Sequence, residues 1–164
     1  MWNLCAFALT ALMILTACSK DKPATEYDVY VAGVEYNGSI DIAKLWKNGQ
    51  AQYAAGRLTN GMNNAEALSV FVSGTDVYVA GYEYNGSYNV AKLWKNGTEQ
   101  NLSNGPNSAK ANSIFVSGND VYVAGVETIG GKELAKLWKN GLTQELTNGT
   151  NNAHAYSIFV APRK

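Results

Sequence analysis

Apolar positions in this chain fall in short bursts separated by turn formers, and the bursts recur. The stretch Asp76-Val-Tyr-Val-Ala-Gly-Tyr-Glu-Tyr-Asn-Gly-Ser-Tyr-Asn-Val-Ala-Lys-Leu-Trp-Lys-Asn-Gly97 has near copies that begin at Asp28 and Asp120. Val121-Tyr-Val-Ala-Gly125 is apolar at both parities, which predicts a strand covered on both faces. It follows Ser113-Ile-Phe-Val116 across Ser117-Gly-Asn-Asp120. In that turn Gly can take a positive φ and Asp can bond the backbone beyond it, so the pair reads as a hairpin. Ala-Lys-Leu-Trp predicts a third strand, and the Asn-Gly that closes it favours a type I′ turn. A polar fourth segment such as Thr98-Glu-Gln-Asn-Leu102 suits an exposed edge. The expected fold class is all-β, with antiparallel strands enough for three four-stranded units.

Alignment of the copies places Asp28, Asp76 and Asp120 in register, with Trp46, Trp94 and Trp138, and Leu58, Leu102 and Leu146. The spacing is 48 and then 44 residues, and the extra residues lie in Gln50-Ala-Gln-Tyr-Ala-Ala-Gly-Arg57, read as a loop or hairpin insertion. The repeat boundaries are 28–75, 76–119 and 120–164. Periods of about 40–50 residues built from short strands belong to β-propeller blades, whereas helical repeats of that length show a 3.6-residue periodicity that this chain lacks. The plan of a small-apolar strand, a Gly-Asp turn and a Val-Tyr-Val-Ala-Gly strand resembles the blades of bacterial propellers of the NHL and YVTN types over residues 28–160. The resemblance implies β-propeller-type repeats and no particular activity, because propellers host enzymes, lectins and scaffolds. Val29 starts a second strand and Ser157-Ile-Phe-Val160 repeats a first strand, so the two ends complement each other. Propellers typically have 4–8 blades. The expectation is therefore a homodimer that closes head to tail into a six-bladed ring, each terminal strand completing a blade of the partner. An open curved array, or a shortened relic of a longer propeller, are the alternatives.

Leu4 to Ala17 is an apolar run of fourteen residues, shorter than the roughly 20 a spanning helix needs, and reads as a signal-peptide core. Leu15-Thr-Ala-Cys18 resembles the lipobox of bacterial lipoproteins, although Met1-Trp-Asn3 carries no Lys or Arg. The resemblance implies a signal peptide over 1–17, lipidation of Cys18 and a polar tether over 18–27. The location implied is the bacterial cell envelope, anchored to the outer membrane, since Ser19 is not the Asp that retains many such proteins on the inner membrane. Three acyl chains, each buried CH₂ contributing about 0.8 kcal/mol, make such an anchor permanent. Cys5 leaves with the signal, so the mature chain has no free thiol for a disulfide, a metal site or a nucleophile.

Composition narrows the function. Thirteen basic and thirteen acidic residues, without runs of either sign, argue against nucleic acid as a partner. No catalytic set, cofactor motif or zinc spacing is visible, and the chain is read as a non-enzyme. Glu35 and Asp41 are the one carboxylate pair that an acid/base enzyme could use. His154, the only histidine, aligns with Glu66 and Lys110 and reads as a solvated residue at a variable loop position. Asp28, Asp76 and Asp120 invite a calcium ring, but a turn-capping role suffices for them. Trp46, Trp94 and Trp138 invite a sugar site, but a Trp at a fixed strand position more often seals neighbouring blades. The ligand-binding candidates are Tyr36, Asn37, Tyr84, Asn85 and Tyr88 in the loops between second and third strands. In propellers those loops share a face with the inter-blade loops, here Asn60, Asn63, Asn104, Asn107, Asn148 and Asn151. Tyr and Asn supply rigid amphipathic rings and adaptable hydrogen bonds for glycan, peptide or protein. Asn and Gly serving left-handed turn positions explain the same residues. The reading is a lipid-anchored binding module of the envelope, with a structural or assembly scaffold as the alternative.

Overall fold

The computed structural model describes residues 26–163. The expected signal peptide, Cys18 and most of the expected tether lie outside the described residues. Eleven strands form three antiparallel sheets, each in chain order. The first holds β1 (Tyr30–Tyr36), β2 (Asp41–Lys47) and β3 (Gln50–Ala51). The second holds β4 (Ala65–Ser73), β5 (Asp76–Tyr84), β6 (Asn89–Lys95) and β7 (Thr98–Asn101). The third holds β8 (Ala109–Ser117), β9 (Asp120–Ile129), β10 (Lys132–Lys139) and β11 (Leu142–Glu145). The described residues contain no α-helix; a single 3₁₀ turn at Ala54–Gly56 occupies the insertion.

The first sheet has three strands, in keeping with a chain that enters at a second strand, and nothing in the described residues pairs with the outer edge of β1. One expectation needs correction. Ser157–Val160, expected as a strand, lies in no ladder.

Local chemistry explains why each copy folds alike. Asn48, Asn96 and Asn140 hold φ near +50° (51, 51 and 52°) and the following Gly49, Gly97 and Gly141 also have positive φ (78, 81 and 81°), as a type I′ turn requires. Each Asn then clamps the start of its own repeat. Its Nδ2 donates to Asp28, Asp76 or Asp120 Oδ1 at 2.9, 2.8 and 2.8 Å. Its Oδ1 accepts from the backbone N–H of Val29, Val77 or Val121. The preceding Lys47, Lys95 or Lys139 pairs with the other carboxylate oxygen at 2.7, 2.8 and 2.8 Å and lies over the Tyr30, Tyr78 or Tyr122 ring. The repeated aspartates are thus engaged in turn closure.

The same bonds set their titration. Hydrogen bonds from Lys139 and then Asn140 bring the Asp120 carboxyl down to about 2, and the equivalent bonds lower Asp28 and Asp76. A lowered carboxylate stabilises the fold above its ordinary pKa, and that contribution is lost as pH falls through the folded value. Stability is therefore expected to fall with acid between pH 3.8 and about 2. In the triple variant Asp28→Asn, Asp76→Asn, Asp120→Asn, chemical denaturation across that window should show a flatter slope; an unchanged slope would assign the titration to other groups.

The repeated tryptophans join successive sheets. Trp94 is fully buried among Ala43, Leu45, Leu58, Ala65, Ala67 and Val79, at the junction of the first and second sheets. Trp138 does the same among Ala80, Ala91, Leu93, Leu102, Ala111 and Ile114, at the junction of the second and third. Small alanines on the facing strands leave room for the indoles between the layers. Trp46, at the same position in the first sheet, stays only partly buried, since among the described residues no sheet precedes its own.

Candidate functional site

The loop residues singled out from sequence divide in the structure. Asn37 Oδ1 accepts from Ser39 and Ile40 N–H, and Asn85 Oδ1 accepts from Ser87 and Tyr88 N–H, so both amides brace their own turns. Tyr84 O–H donates to the Gly86 carbonyl at 2.8 Å. Tyr36 is exposed and Tyr88 partly buried. Tyr84 and Asn85 meet Asn60 and Asn63 around a recess of 260 Å³ that Glu83 and Lys92 also line. The expected sharing of one face by these two loop types is present there. Tyr36, Asn37 and Tyr88 stand away from the recess.

A larger cavity of 480 Å³ lies between the second and third sheets, at the beginnings of β4 and β8 and beside the segment around His154. Its polar lining includes Glu66, Tyr82, Asn89, Lys110, Glu133 and His154. Tyr82, nearly buried, donates its O–H to Glu66 Oε1 at 2.5 Å. Burial, and then the bond to Glu66, push this phenol far above its ordinary pKa, so it remains a neutral donor. Lys110 Nζ sits 4.3 Å from the Tyr82 ring centroid. On the other wall His154 Nε2 lies 3.1 Å from Glu133 Oε2, and the His154 ring stacks on Tyr156 at 5.4 Å and 8°. Asn112 Nδ2 donates to the Ala155 carbonyl at 2.9 Å, and Ser108 Oγ accepts from Asn89 N–H at 3.3 Å, tying the wall segments together.

The cavity arises from repetition. Glu66, Lys110 and His154 are the second residues of three equivalent segments, Ala65-Glu-Ala, Ala109-Lys-Ala and Ala153-His-Ala. The flanking alanines of the first two segments are buried, so the residue between them points the other way, as strand alternation demands. Successive sheets then carry these side chains toward one space. Asn89 is the first residue of β6 and Glu133, its equivalent, the second of β10, and Tyr82 stands where the third copy has Val126. The cavity is therefore walled by positions that differ between copies, inside a frame that does not.

His154, expected as a solvated residue at a variable position, is exposed and also forms part of the cavity wall. The sequence signal that points here is the column Glu66, Lys110, His154, which changes charge while its neighbours stay alanine. Of the carboxylate pair noted in the first copy, Glu35 is engaged by Lys44 and the Asp41 backbone N–H donates to Asn64 Oδ1. Among the described residues no three His, Cys, Asp or Glu side chains converge as a metal site. The cavity offers acceptors, amide donors, a cation and an aromatic face. No protein-family model and no curated protein matches this chain.

Proposed function

We propose that this chain is a lipid-anchored β-propeller repeat protein of the bacterial cell envelope that binds a glycan, without catalysis, in the cavity between its second and third sheets. The observation that carries the reading is the convergence of Glu66, Tyr82, Asn89, Lys110, Glu133 and His154 on one space, beside the exposed ring of Tyr156. Sugar hydroxyls need carboxylate and amide acceptors and donors at fixed spacing, and the C–H face of a pyranose stacks on an aromatic ring. A volume of 480 Å³ falls within the roughly 300–1,000 Å³ of small-ligand sites. The propeller reading is supported by three sheets of three or four antiparallel strands, each in chain order and joined face to face by tryptophan and alanine. The envelope reading is supported by the apolar run from Leu4 to Ala17 and the lipobox-like Leu15-Thr-Ala-Cys18.

The test has two arms. Labelled fatty acid should enter the wild-type chain and not Cys18→Ser; labelling of both, or of neither, would remove the anchor. Glycan arrays followed by titration calorimetry should give a ligand whose affinity falls at least about tenfold, or 1.4 kcal/mol, in Glu66→Gln and in Lys110→Met, and stays level in Tyr84→Ala. Loss in Tyr84→Ala alone would move the site to the recess at Asn60 and Asn63. Binding of peptides with no glycan bound would replace the ligand class.

A further inference from the structure

We infer that two copies of this chain close head to tail by exchanging a strand, residues Ala153–Val160 of each filling the open edge of β1 in the other. The inference concerns the assembly and stands whatever the cavity binds; it rests on the propeller reading only for the number of copies.

The first observation is the edge itself. β5 and β9 are each hydrogen-bonded on both sides, by β4 and β6 and by β8 and β10, whereas among the described residues β1 is paired with β2 alone. The consequence shows in the glutamate repeated on these strands: the side chains of Glu83 and Glu127 are 11 and 13% exposed, that of Glu35 58%. An unpaired strand edge is a template for another strand.

The second observation is the segment that fits it. Ala153-His-Ala-Tyr-Ser-Ile-Phe-Val160 repeats Ala65-Glu-Ala-Leu-Ser-Val-Phe-Val72 and Ala109-Lys-Ala-Asn-Ser-Ile-Phe-Val116, the strands that cover β5 and β9. It also lies where such a strand belongs. Ile158 N–H donates to Ser113 Oγ at 3.2 Å as Ile114 N–H donates to Ser69 Oγ at 3.2 Å, and Phe159 meets Phe115 at 5.1 Å as Phe115 meets Phe71 at 4.8 Å. Yet it has no ladder partner, and Phe159 is 78% exposed.

The third is the matching of open faces. Leu58 and Leu102, buried at 6 and 4%, pack under the tryptophan of the following sheet, but Leu146 is 50% exposed. At the opposite end Trp46 lacks the cover that Trp94 and Trp138 enjoy. The two bare faces carry the two halves of a junction that the chain already builds twice. A fourth observation is independent of exposure. A Cβ on Gly81 or Gly125 would lie 2.0 Å from the backbone oxygen of Glu66 or Lys110, so glycine is obligatory there. At Gly33 no backbone atom comes near; only the Trp46 ring, at 3.1 Å, does. The oxygen missing at Gly33 is that of a residue equivalent to His154.

The two existing ladders set the register of the third. With Ala65 opposite Glu83, Val70 opposite Val79 and Ser73 opposite Asp76, Ala153 falls opposite the partner's Glu35, Ile158 opposite the partner's Val31, and Ala161 opposite the partner's Asp28. The bulge seen between Ala67 and Ser69 and between Ala111 and Ser113 recurs between Ala155 and Ser157. Val70 N–H then donates to the partner's Ser157 Oγ, and Phe71 meets the partner's Phe159. His154 comes beside the partner's Asp41 and the partner's Glu66, which complete a second cavity of the kind described above. Two copies give six sheets, within the usual 4–8 of a closed ring, and such a head-to-tail contact closes by rotation.

The test uses the full chain in detergent with Cys5→Ala and Cys18→Ser, mixing a Val31→Cys chain with an Ile158→Cys chain. A disulfide between the two different chains is expected, with none for Ala32→Cys against Ile158→Cys, one residue out of register. Native mass spectrometry of the unmodified chain should give two copies. Gly33→Ala should remain folded by circular dichroism but run as one copy, because its methyl meets the incoming oxygen of the partner's His154. A single-copy wild type, an open polymer, no cross-link in register, or an undisturbed two-copy Gly33→Ala would each overturn the inference.

Discussion

Gly125→Ala is expected to destabilise the chain by about 3 kcal/mol or more, the upper end of the overpacking range. The added Cβ would sit 2.0 Å from the Lys110 carbonyl oxygen and 2.8 Å from Cζ3 of Trp138. Neither neighbour has room to give. The carbonyl belongs to β8 at the point where its ladder with β9 shifts register, between Ala111 and Ser113, and the indole is fully enclosed between sheets. Relief would therefore open the β8–β9 pairing or expel Trp138 from its layer. Urea unfolding followed by tryptophan fluorescence measures the loss. Gly105→Ala, whose Cβ would meet nothing nearer than 3.7 Å, is the control and should stay within about 0.5 kcal/mol of wild type. A Gly125→Ala loss below about 1 kcal/mol would show that the strands do not approach as closely as described.

Lys136→Met should cost about 3–5 kcal/mol, the range for removing one member of a buried ion pair. The Lys136 side chain is 3% exposed and its Nζ lies 3.1 Å from Glu127 and 3.0 Å from Glu145. Burial alone pulls its pKa down, but the bonds to Glu145 and Glu127 outweigh burial and hold it above the ordinary value, so the ammonium stays charged. Removing it strands Glu127, itself nearly buried, while Glu145 turns outward to water. The cost comes from the orphaned carboxylate more than from the lost attraction. Hence Lys136→Met combined with Glu127→Leu should recover most of the loss, and a double variant as unstable as the single one would contradict this account.

Much of the local structure was legible from residue order. The hairpins follow from bursts of Val, Tyr and Ile between Gly-containing turns, and the Asn-Gly pairs do adopt positive φ at both positions. Thr98–Asn101 forms the exposed outer strand that its polarity implied. Trp94 and Trp138 pack between sheets, as their fixed strand position suggested. Asn37 and Asn85 were ambiguous, because an amide that braces a turn and one that meets a ligand look alike in sequence. The cavity was hidden for another reason. Glu66, Lys110 and His154 stand 44 residues apart in turn, and their variation reads as loop drift until the stacking of sheets turns them toward one space.

By itself, then, the sequence determined the repeat, its strands and its turns, because these depend on side-chain period and backbone preference within a few residues. The tertiary structure alone decided what the variable positions share, since only face-to-face packing of sheets brings residues from separate copies together. It also supplied the partners of the turn aspartates, Asn48, Asn96 and Asn140. And among the described residues it leaves the outer edge of β1 and the Ala153–Val160 segment without a ladder partner, which no local rule foretells.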